Sequence, residues 1–415
     1  MQLKTWLEIP EDSDFSIHNL PFGIFSIKGS KRKAGIAIGE YVIDLDGLQR
    51  SGLLVHSLLN EGIFINDSLN AFIAGGKAVW SYVRKRITEL LTEQNSPLIE
   101  QQGNLLIPQT EVEMHLPVAI GDYTDFYSSL EHATNVGIMF RGKEKALMPN
   151  WKHLPVAYHG RASSIIPSGT PVRRPKGQMM PDGAERPVFG TTERLDIELE
   201  MAFVIGRENK LGTAVPIQEA EDHIFGMVIF NDWSARDIQK WEYVPLGPFL
   251  GKNFASSISP WIVTIEALQP FKVASPEQDV KLLPYLKGNG TASYDINLEA
   301  WLKPKGGTET LIAKSNHKYL YWTMAQQLTH HTVNGCNMRV GDLCASGTIS
   351  GKTPDSYGSL LELTWKGEKP IVLADGTQRK FLEDYDQVTM KAFAQKDGKR
   401  VGFGHVKTEI LPAYD

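Results

Sequence analysis

Cysteine is scarce in this chain of 415 residues, which contains only Cys336 and Cys344. Two thiols provide neither a disulfide framework nor the four ligands of a structural zinc site. We therefore predict that both are small core side chains in a protein from a reducing compartment. This favours a cytoplasmic location.

Long apolar runs and an excess of positive charge are also missing. No run reaches the roughly 18 residues that a membrane-spanning helix needs. The first ten residues are followed by Glu11, Asp12 and Asp14, which is unlike a signal or transit peptide. The net charge is −5, and the basic clusters at 31–33 and 84–86 are short. The sequence thus predicts neither a membrane nor a nucleic-acid partner.

The length and the pattern of apolar residues predict two units, because one hydrophobic core rarely extends over so many residues. In residues 1–117, short β runs precede a helix in which Val79, Val83, Ile87 and Leu91 recur every four residues. Residues 118–415 are rich in Gly, Pro and short strand-like runs, including 360–365 and 387–393, with hairpin-type turns at 375–376 and 397–398. A further helix is predicted over 318–331. We expect a mainly β fold with some helix.

Two acidic residues alternate with apolar ones in the stretch 195–205, which reads Leu-Asp-Ile-Glu-Leu-Glu-Met-Ala-Phe-Val-Ile. The alternation predicts a strand on which Glu198 and Glu200 share one face, roughly 7 Å apart. Like charges at that spacing repel each other unless a cation or hydrogen-bond donors lie between them. A solvated strand face is the alternative.

His132 lies within a stretch that we predict to be a short helix, capped by Thr124 and ending near Gly137. Asp125 and His132 would then lie along one side of it. The ordinary pKa of histidine suits a general base near neutral pH. A hydrogen-bonded histidine without a catalytic role is the alternative.

A capping-box pattern begins at Ser234 and predicts the start of a helix. The residues after it include Arg236, Gln239 and Tyr243. A short helix that starts there and ends before Pro245 would present all three side chains on one face. Such a row could bind a carboxylate or a developing oxyanion. A surface helix with an Asp–Arg pair is the alternative.

Carboxylates supply most of the candidate metal ligands. Glu362 lies in a predicted strand, and, if half-buried, it needs a partner such as a histidine. Hard oxygen ligands without cysteine or histidine favour Ca²⁺, Mg²⁺ or Mn²⁺ over zinc, and a set of four carboxylates favours Ca²⁺. The members of that set are Asp125, Glu198, Glu200 and Asp232.

Several long blocks resemble the fumarylacetoacetase family, and the resemblance covers nearly the whole chain. The blocks are residues 121–129, 132–142, 158–164, 195–203, 230–239 and 333–351. The resemblance implies a small N-terminal SH3-like, β-barrel-like domain over 1–117 and a larger C-terminal β-roll catalytic domain over 118–415. It also implies a homodimer and a small-molecule diketo acid substrate.

The family's metal sites can be placed on this sequence residue by residue. The resemblance implies that the four carboxylates above bind Ca²⁺. It implies a Mg²⁺ site at Asp232, Ser256 and Lys252, the last through its main chain. The family carries Gly-Thr-Thr where this chain has Ala-Ser-Ser at 255–257, and Ser256 keeps the hydroxyl group.

The family's catalytic residues match as well. The implied reaction is hydrolysis of 4-fumarylacetoacetate to fumarate and acetoacetate. His132 would be the base, held by Glu362, and Arg236, Gln239 and Lys252 would surround the developing oxyanion. The implied substrate contacts are Tyr127, Arg141, Gln239, Tyr243 and Thr348.

Other functions stay open at this point. A 2-oxo acid hydratase or decarboxylase would keep the Glu-x-Glu pattern and the aspartate, but only hydrolysis needs the set of His132, Glu362, Arg236, Gln239 and Tyr243. An acylpyruvate hydrolase of the same superfamily is a further alternative. A non-catalytic, metal-stabilised binding protein would tolerate loss of His132 but would unfold on loss of Glu200.

Overall fold

Short alternating apolar runs near the N-terminus form one antiparallel sheet, and the helices after it pack on that sheet. The computed structural model describes residues 3–288 and 293–415. The sheet has the order β4-β3-β2-β1-β5. Helix α3 buries Val79, Val83, Ile87 and Leu91, as the four-residue repeat predicts. The elements are β1 (Phe22–Ile27), β2 (Lys33–Ile38), β3 (Tyr41–Asp44), α1 (Leu45–Arg50), α2 (Asn70–Ile73), α3 (Lys77–Thr92), α4 (Pro97–Leu105), β4 (Leu106–Pro108) and β5 (Val112–His115).

The remaining residues form many short strands and few helices. The strands are β6 (Tyr123–Phe126), β7 (Ala157–His159), β8 (Ile165–Pro167), β9 (Val172–Arg173), β10 (Lys176–Met179), β11 (Val188–Thr191), β12 (Leu195–Asp196), β13 (Leu199–Ile205), β14 (Ile224–Asp232), β15 (Ser234–Ala235), β16 (Ser256–Ile258), β17 (Val263–Thr264), β18 (Lys272–Val273), β19 (Ser293–Tyr294), β20 (Asn297–Lys303), β21 (Thr310–Asn316), β22 (Leu343–Ala345), β23 (Ile371–Val372), β24 (Gln378–Arg379), β25 (Gln387–Lys396) and β26 (Lys399–Leu411). The helices are α5 (Leu130–Arg141), α6 (Arg236–Glu242), α7 (Ile265–Leu268), α8 (Met324–Thr332) and α9 (Leu360–Leu363). The prediction of a mainly β fold with some helix is confirmed.

An eight-stranded sheet lies at the centre of the molecule, in the order β7-β6-β22-β13-β14-β16-β8, with β17 also paired to β14. Alternate residues of β13 point into two different cores. Ala202 and Val204 pack with the N-terminal elements. Met201 and Phe203 pack with residues of a second large sheet, β21-β20-β25-β26-β9. The central sheet is therefore covered on both faces, which accounts for its apolar strands.

The predicted strand over 195–205 is interrupted, and the alternative of a solvated strand face is wrong. β12 ends at Asp196 and β13 begins at Leu199, so that Glu198 lies in a break between strands. No residue of β13 is exposed, so the solvated face does not exist. The alternation of acidic and apolar residues reflects buried charges that have partners in the protein.

The start of the predicted helix at 124–137 is also wrong. Residues 123–126 form β6, because they pair in parallel with β22 across the sheet. Helix α5 begins later, with Ser129 as its N-cap, and ends at Arg141, where Gly142 has a φ of +80°. Tertiary strand pairing thus overrides the local capping signal at Thr124.

Three further elements correct the sequence-based expectations. Glu362 lies in α9, capped by Ser359, and not in a strand. The helix expected from residue 318 begins at Met324, because Thr323 forms the capping box there. Ser234 belongs to β15 and does not cap α6, although that helix spans nearly the predicted residues.

The Asp397-Gly398 turn joins β25 and β26 as predicted. Both residues have a positive φ, +51° and +71°, as a two-residue hairpin turn requires. Among the described residues, none of the helices is long and apolar enough to cross a membrane.

Candidate active site

Neighbouring strands of the central sheet bring together four carboxylates. Asp125 lies in β6, Glu200 near the start of β13, and Asp232 at the end of the antiparallel β14. Glu198 joins them from the break before β13. One carboxylate oxygen from each of the four lies within 4.8 Å of the others, and all four residues are buried. The predicted ligand set therefore converges in space.

Gly347 closes this cluster from the segment just after β22, the strand that lies between β6 and β13. Its backbone N–H lies 3.1 Å from Asp125 Oδ1 and 3.1 Å from Glu200 Oε2, and donates to both. Its φ is +75°, and a Cβ atom there would lie 2.2 Å from the carbonyl oxygen of Phe126. A glycine is needed here because the backbone approaches so closely.

Lys252 is a cation in direct contact with two members of the cluster. Its Nζ lies 2.5 Å from Glu198 Oε2 and 2.9 Å from Asp232 Oδ2. Asp232 also accepts hydrogen bonds from the Tyr158 hydroxyl at 2.6 Å and from Ser256 Oγ at 2.9 Å. Ser256 thus contacts a predicted ligand, and Lys252 contacts two of them through its side chain.

The cluster carries more negative charge than its cations balance. Burial, followed by the neighbouring carboxylates, raises the pKa of Asp125 and of Glu200 well above the ordinary range. Burial also opposes ionisation of Glu198, but Lys252 and Arg236 outweigh this effect and lower its pKa.

A divalent cation fits this donor set. Glu200 Oε1 is buried without a hydrogen-bond partner among the described residues. Oxygen-only ligands with excess negative charge suit Ca²⁺ or Mg²⁺. A bound dication would balance the charge and provide the partner that this oxygen lacks.

His132 and Glu362 form a buried pair beside the cluster. His132 Nδ1 lies 2.6 Å from Glu362 Oε2, which also accepts from Ser350 Oγ and Ser359 Oγ, each at 2.9 Å. Glu362 Oε1 accepts from Asn135 Nδ2 at 2.9 Å. Burial raises the pKa of Glu362, but the pair with His132 and these donors lower it overall, so the carboxylate is ionised. Glu362 thus contacts a histidine, although it lies in a helix and not on the half-buried strand face for which such a partner was predicted.

Arg236 also contacts the carboxylates. Its Nη1 donates to Glu198 Oε1 at 2.8 Å and to Gln239 Oε1 at 3.2 Å. Its Nη2 is buried without a partner in the part of the chain that the structure describes. Arg236 and Gln239 lie together as their helical spacing predicts, whereas Tyr243 follows the end of α6 and is 41% exposed.

A cavity of about 490 Å³ connects these groups. Most of the predicted site residues line it, whereas Glu200, Asp232 and Glu362 lie behind its wall and Ser256 faces a smaller neighbouring cavity. Arg141 lies at the wall, with its Nη2 donating to the carbonyl oxygen of Ala146 at 2.7 Å. The predicted residues in the lining are Asp125, Tyr127, His132, Arg141, Glu198, Arg236, Gln239, Tyr243, Lys252 and Thr348.

Sequence reasoning missed part of this lining. Tyr158, which donates to Asp232, lies in one of the long blocks named above but was given no role. Apolar residues cover another wall and carry no sequence signal that separates them from core residues. They include Val136, Phe140, Leu147 and Val156.

Comparison with known proteins gives consistent results. Residues 122–410 match the family described as "Fumarylacetoacetate (FAA) hydrolase C-terminal", and residues 18–117 match "Fumarylacetoacetase N-terminal". Proteins named fumarylacetoacetase are similar over 99% of this chain. The human protein is 54% identical, with 99% of its length covered, and that of Caenorhabditis elegans is 51% identical, with 100% covered.

Solved structures share the fold at much lower identity. The fumarylacetoacetate hydrolase from Exiguobacterium antarcticum has a TM-score of 0.54 at 18% identity, covering 95% of this chain and 99% of that one. The maleylpyruvate hydrolase from Sphingobium has a TM-score of 0.52 at 14% identity, covering 95% and 100%. These similarities concern the fold alone.

Proposed function

The chain belongs to the fumarylacetoacetase family and hydrolyses 4-fumarylacetoacetate to fumarate and acetoacetate, the last step of tyrosine and phenylalanine breakdown, and we propose that it does so with a divalent metal ion. One observation supports this most directly. One cavity is lined both by Asp125 and Glu198 of the buried carboxylate cluster and by His132 of the buried His–Glu pair.

The proposed metal ligands are Asp125, Glu198, Glu200 and Asp232, with Ca²⁺ favoured by four carboxylates. A second ion, Mg²⁺, is proposed near Asp232, Ser256 and Lys252. When bound, a divalent ion supplies positive charge to the oxygens of a β-diketone and so stabilises the enolate leaving group. Carbon–carbon hydrolysis needs that stabilisation, because its leaving group is otherwise a carbanion.

His132 is proposed as the general base that takes a proton from the attacking water. Its Nδ1 is held by Glu362, so the other ring nitrogen, Nε2, is left to accept the proton. The buried carboxylate then stabilises the charged imidazolium ring, as in other His–carboxylate pairs. Tyr127 packs edge-on against the ring, with centroids 5.3 Å apart, and limits its rotation.

Arg236, Gln239 and Lys252 are proposed to stabilise the developing oxyanion. The support is Arg236 Nη2, a buried donor that has no hydrogen-bond partner within residues 3–288 and 293–415 and whose neighbouring nitrogens are fixed by carboxylates. A fixed donor aimed at developing charge lowers the barrier without reorganising during the reaction. The proposed substrate contacts are Tyr127, Arg141, Gln239, Tyr243 and Thr348.

The test is hydrolysis of 4-fumarylacetoacetate by the purified chain, followed by loss of the diketone absorbance, before and after treatment with a chelator. We expect turnover that falls on chelation and returns when Ca²⁺ or Mg²⁺ is added. Turnover that persists after the metal is removed would refute the metal requirement. No turnover under any metal condition would refute the function itself.

His132→Ala is the matched variant for this assay. We expect it to retain its fold and metal content and to lose turnover. Retained turnover would remove His132 from the mechanism. Retained binding of the diketo acid without turnover in the wild-type chain would favour a binding protein.

A homodimer and a cytoplasmic location are further proposals, and they rest on the family resemblance. Sedimentation equilibrium of the purified chain tests the first, with a mass of about twice 46.3 kDa expected. Fractionation of cells that produce the chain tests the second.

A further inference from the structure

Asp196 is a buried carboxylate for which the proposed mechanism has no use. It is fully buried, and both of its oxygens accept hydrogen bonds from several donors. Oδ1 accepts from the backbone N–H of Ile197 at 2.8 Å and of Leu360 at 2.7 Å. Oδ2 accepts from Leu361 N at 3.0 Å and from Arg236 Nε at 2.8 Å. A carboxylate satisfied in this way holds its partners in one geometry.

One side of this network orients Arg236. Asp196 holds Nε and Glu198 holds Nη1, so the plane of the guanidinium group is fixed at two corners. The third corner, Nη2, is buried and has no partner among the described residues. The direction of this free donor is therefore set by where Asp196 lies.

The other side of the network holds Glu362. Asp196 binds the first two backbone N–H groups of α9, a helix of only four residues. Glu362 is the third residue of that helix and holds His132 Nδ1. Because a helix of four residues has few internal hydrogen bonds, the position of Glu362 depends on the contacts that the first turn of α9 makes.

We propose that Asp196 is a positioning residue that fixes the oxyanion group Arg236 and the base-orienting Glu362 at a constant separation. The inference rests on the proposed function, because it assigns Asp196 a part in that reaction. Asp196 does not line the cavity, so it acts through these two residues and not on the substrate.

Asp196→Asn tests the proposal, because asparagine has nearly the same shape but carries no charge. One of its side-chain atoms becomes an NH₂ group, which would face N–H donors that now point at a carboxylate oxygen. Either Arg236 or the start of α9 must then shift. Residues that support a catalytic group in this way typically change activity by about 10–100-fold when replaced. We expect kcat to fall by about that factor while KM changes little.

Asp386→Asn is the matched control. Asp386 is equally buried, accepts from Arg379 Nε at 2.9 Å and Nη2 at 3.0 Å, and accepts from the backbone N–H of Glu383 at 2.8 Å. Neither Asp386 nor Arg379 lines the cavity. We expect this variant to lose stability with kcat close to that of the wild type. Equal loss of kcat in both variants would overturn the proposal, because the effect would then be structural.

A double-mutant cycle with Glu362→Gln separates the two arms of the network. If Asp196 acts through Glu362, Asp196→Asn should cost much less kcat in the Glu362→Gln background than alone. Full additivity would overturn the link to Glu362. If Asp196→Asn does not fold, Asp196→Glu keeps the charge but moves it by one methylene group, and unchanged kcat in that variant would overturn the proposal.

The wild-type chain is the reference for these measurements. Failure of the wild type to hydrolyse 4-fumarylacetoacetate would contradict the proposed function. An active wild type with equally active Asp196→Asn would contradict the inference alone.

Discussion

Replacing Glu362 by glutamine should remove the charge beside His132 while keeping the packing. The Ser350 and Ser359 hydroxyl groups can rotate to match an amide, and the amide of Asn135 can flip. The side chain of the variant can therefore still be fully hydrogen-bonded. The variant loses only the negative charge of Glu362, whose Oε2 lies 2.6 Å from His132 Nδ1.

The size of the effect follows from that charge. An imidazolium ring and a carboxylate with charge centres about 4 Å apart attract each other by about 4 kcal/mol at an effective dielectric constant of 20. The attraction exists only once His132 has taken its proton, so its loss raises the barrier and leaves the ground state nearly unchanged. A change of that size corresponds to a fall in kcat of about 1,000-fold.

The assay is kcat for 4-fumarylacetoacetate, measured with a thermal denaturation curve for each variant. Asn135→Ala is the control, because it removes a neutral donor to the other oxygen of Glu362. Because Glu362 is ionised both before and after His132 takes its proton, loss of this bond affects the two states similarly and should lower kcat by less than about tenfold. The reasoning is refuted if Glu362→Gln stays within tenfold of the wild type, or if Asn135→Ala is equally damaging.

Three further predictions concern the metal cluster and stability. Glu200→Gln should weaken Ca²⁺ binding in calorimetry. It should also raise the melting temperature of the metal-free chain, because it removes a buried carboxyl group whose ionisation is opposed by burial and by the neighbouring carboxylates; a lower melting temperature without metal would contradict this. Gly347→Ala should abolish turnover and metal binding, because its Cβ would lie 2.2 Å from the Phe126 carbonyl oxygen. Gly29→Ala is the control: Gly29 has a φ of +80° and no atom lies within 4 Å of the position that a Cβ would take, so only a modest loss of stability is expected. Similar behaviour of the two variants would exclude the clash as the cause. Burial lowers the pKa of His317 from 6.5 to about 4, so the neutral ring favours the folded state. Its contribution of about 3 kcal/mol should be complete above pH 6.5 and disappear as the pH falls toward 4. Urea unfolding at pH 7 and pH 4.5, with His317→Gln as the control that lacks this drop, measures it.

Local patterns predicted local structure well where one element decides its own geometry. The four-residue apolar repeat gave α3, and the Asp397-Gly398 pair gave the hairpin between β25 and β26. Local patterns gave the wrong secondary structure where pairing with a distant strand determines the conformation of a segment. Thr124 has the chemistry of a helix cap, but its segment pairs with β22, more than 200 residues away in the chain.

The chemistry of the site was also readable in part. Four carboxylates without cysteine or histidine indicated a hard divalent ion, and the long sequence blocks indicated the family. The burial of Glu198 and Glu200 could not be predicted from the sequence. The same alternation of acidic and apolar residues is expected for a strand with a solvated face and for a strand whose charges have buried partners. The two readings differ only in what covers the strand.

The sequence by itself determined which groups were available: oxygen ligands for a metal, a histidine for proton transfer, and an arginine with spare donors. Only the tertiary structure decided which of them meet. Glu362 lies 230 residues from His132 in the chain. Asp196 accepts hydrogen bonds both from α9 and from Arg236, which are distant from it and from each other in the sequence. The reason is physical: side-chain spacing along a chain sets distances within one helix or strand, whereas distances between elements are set by sheet order and core packing.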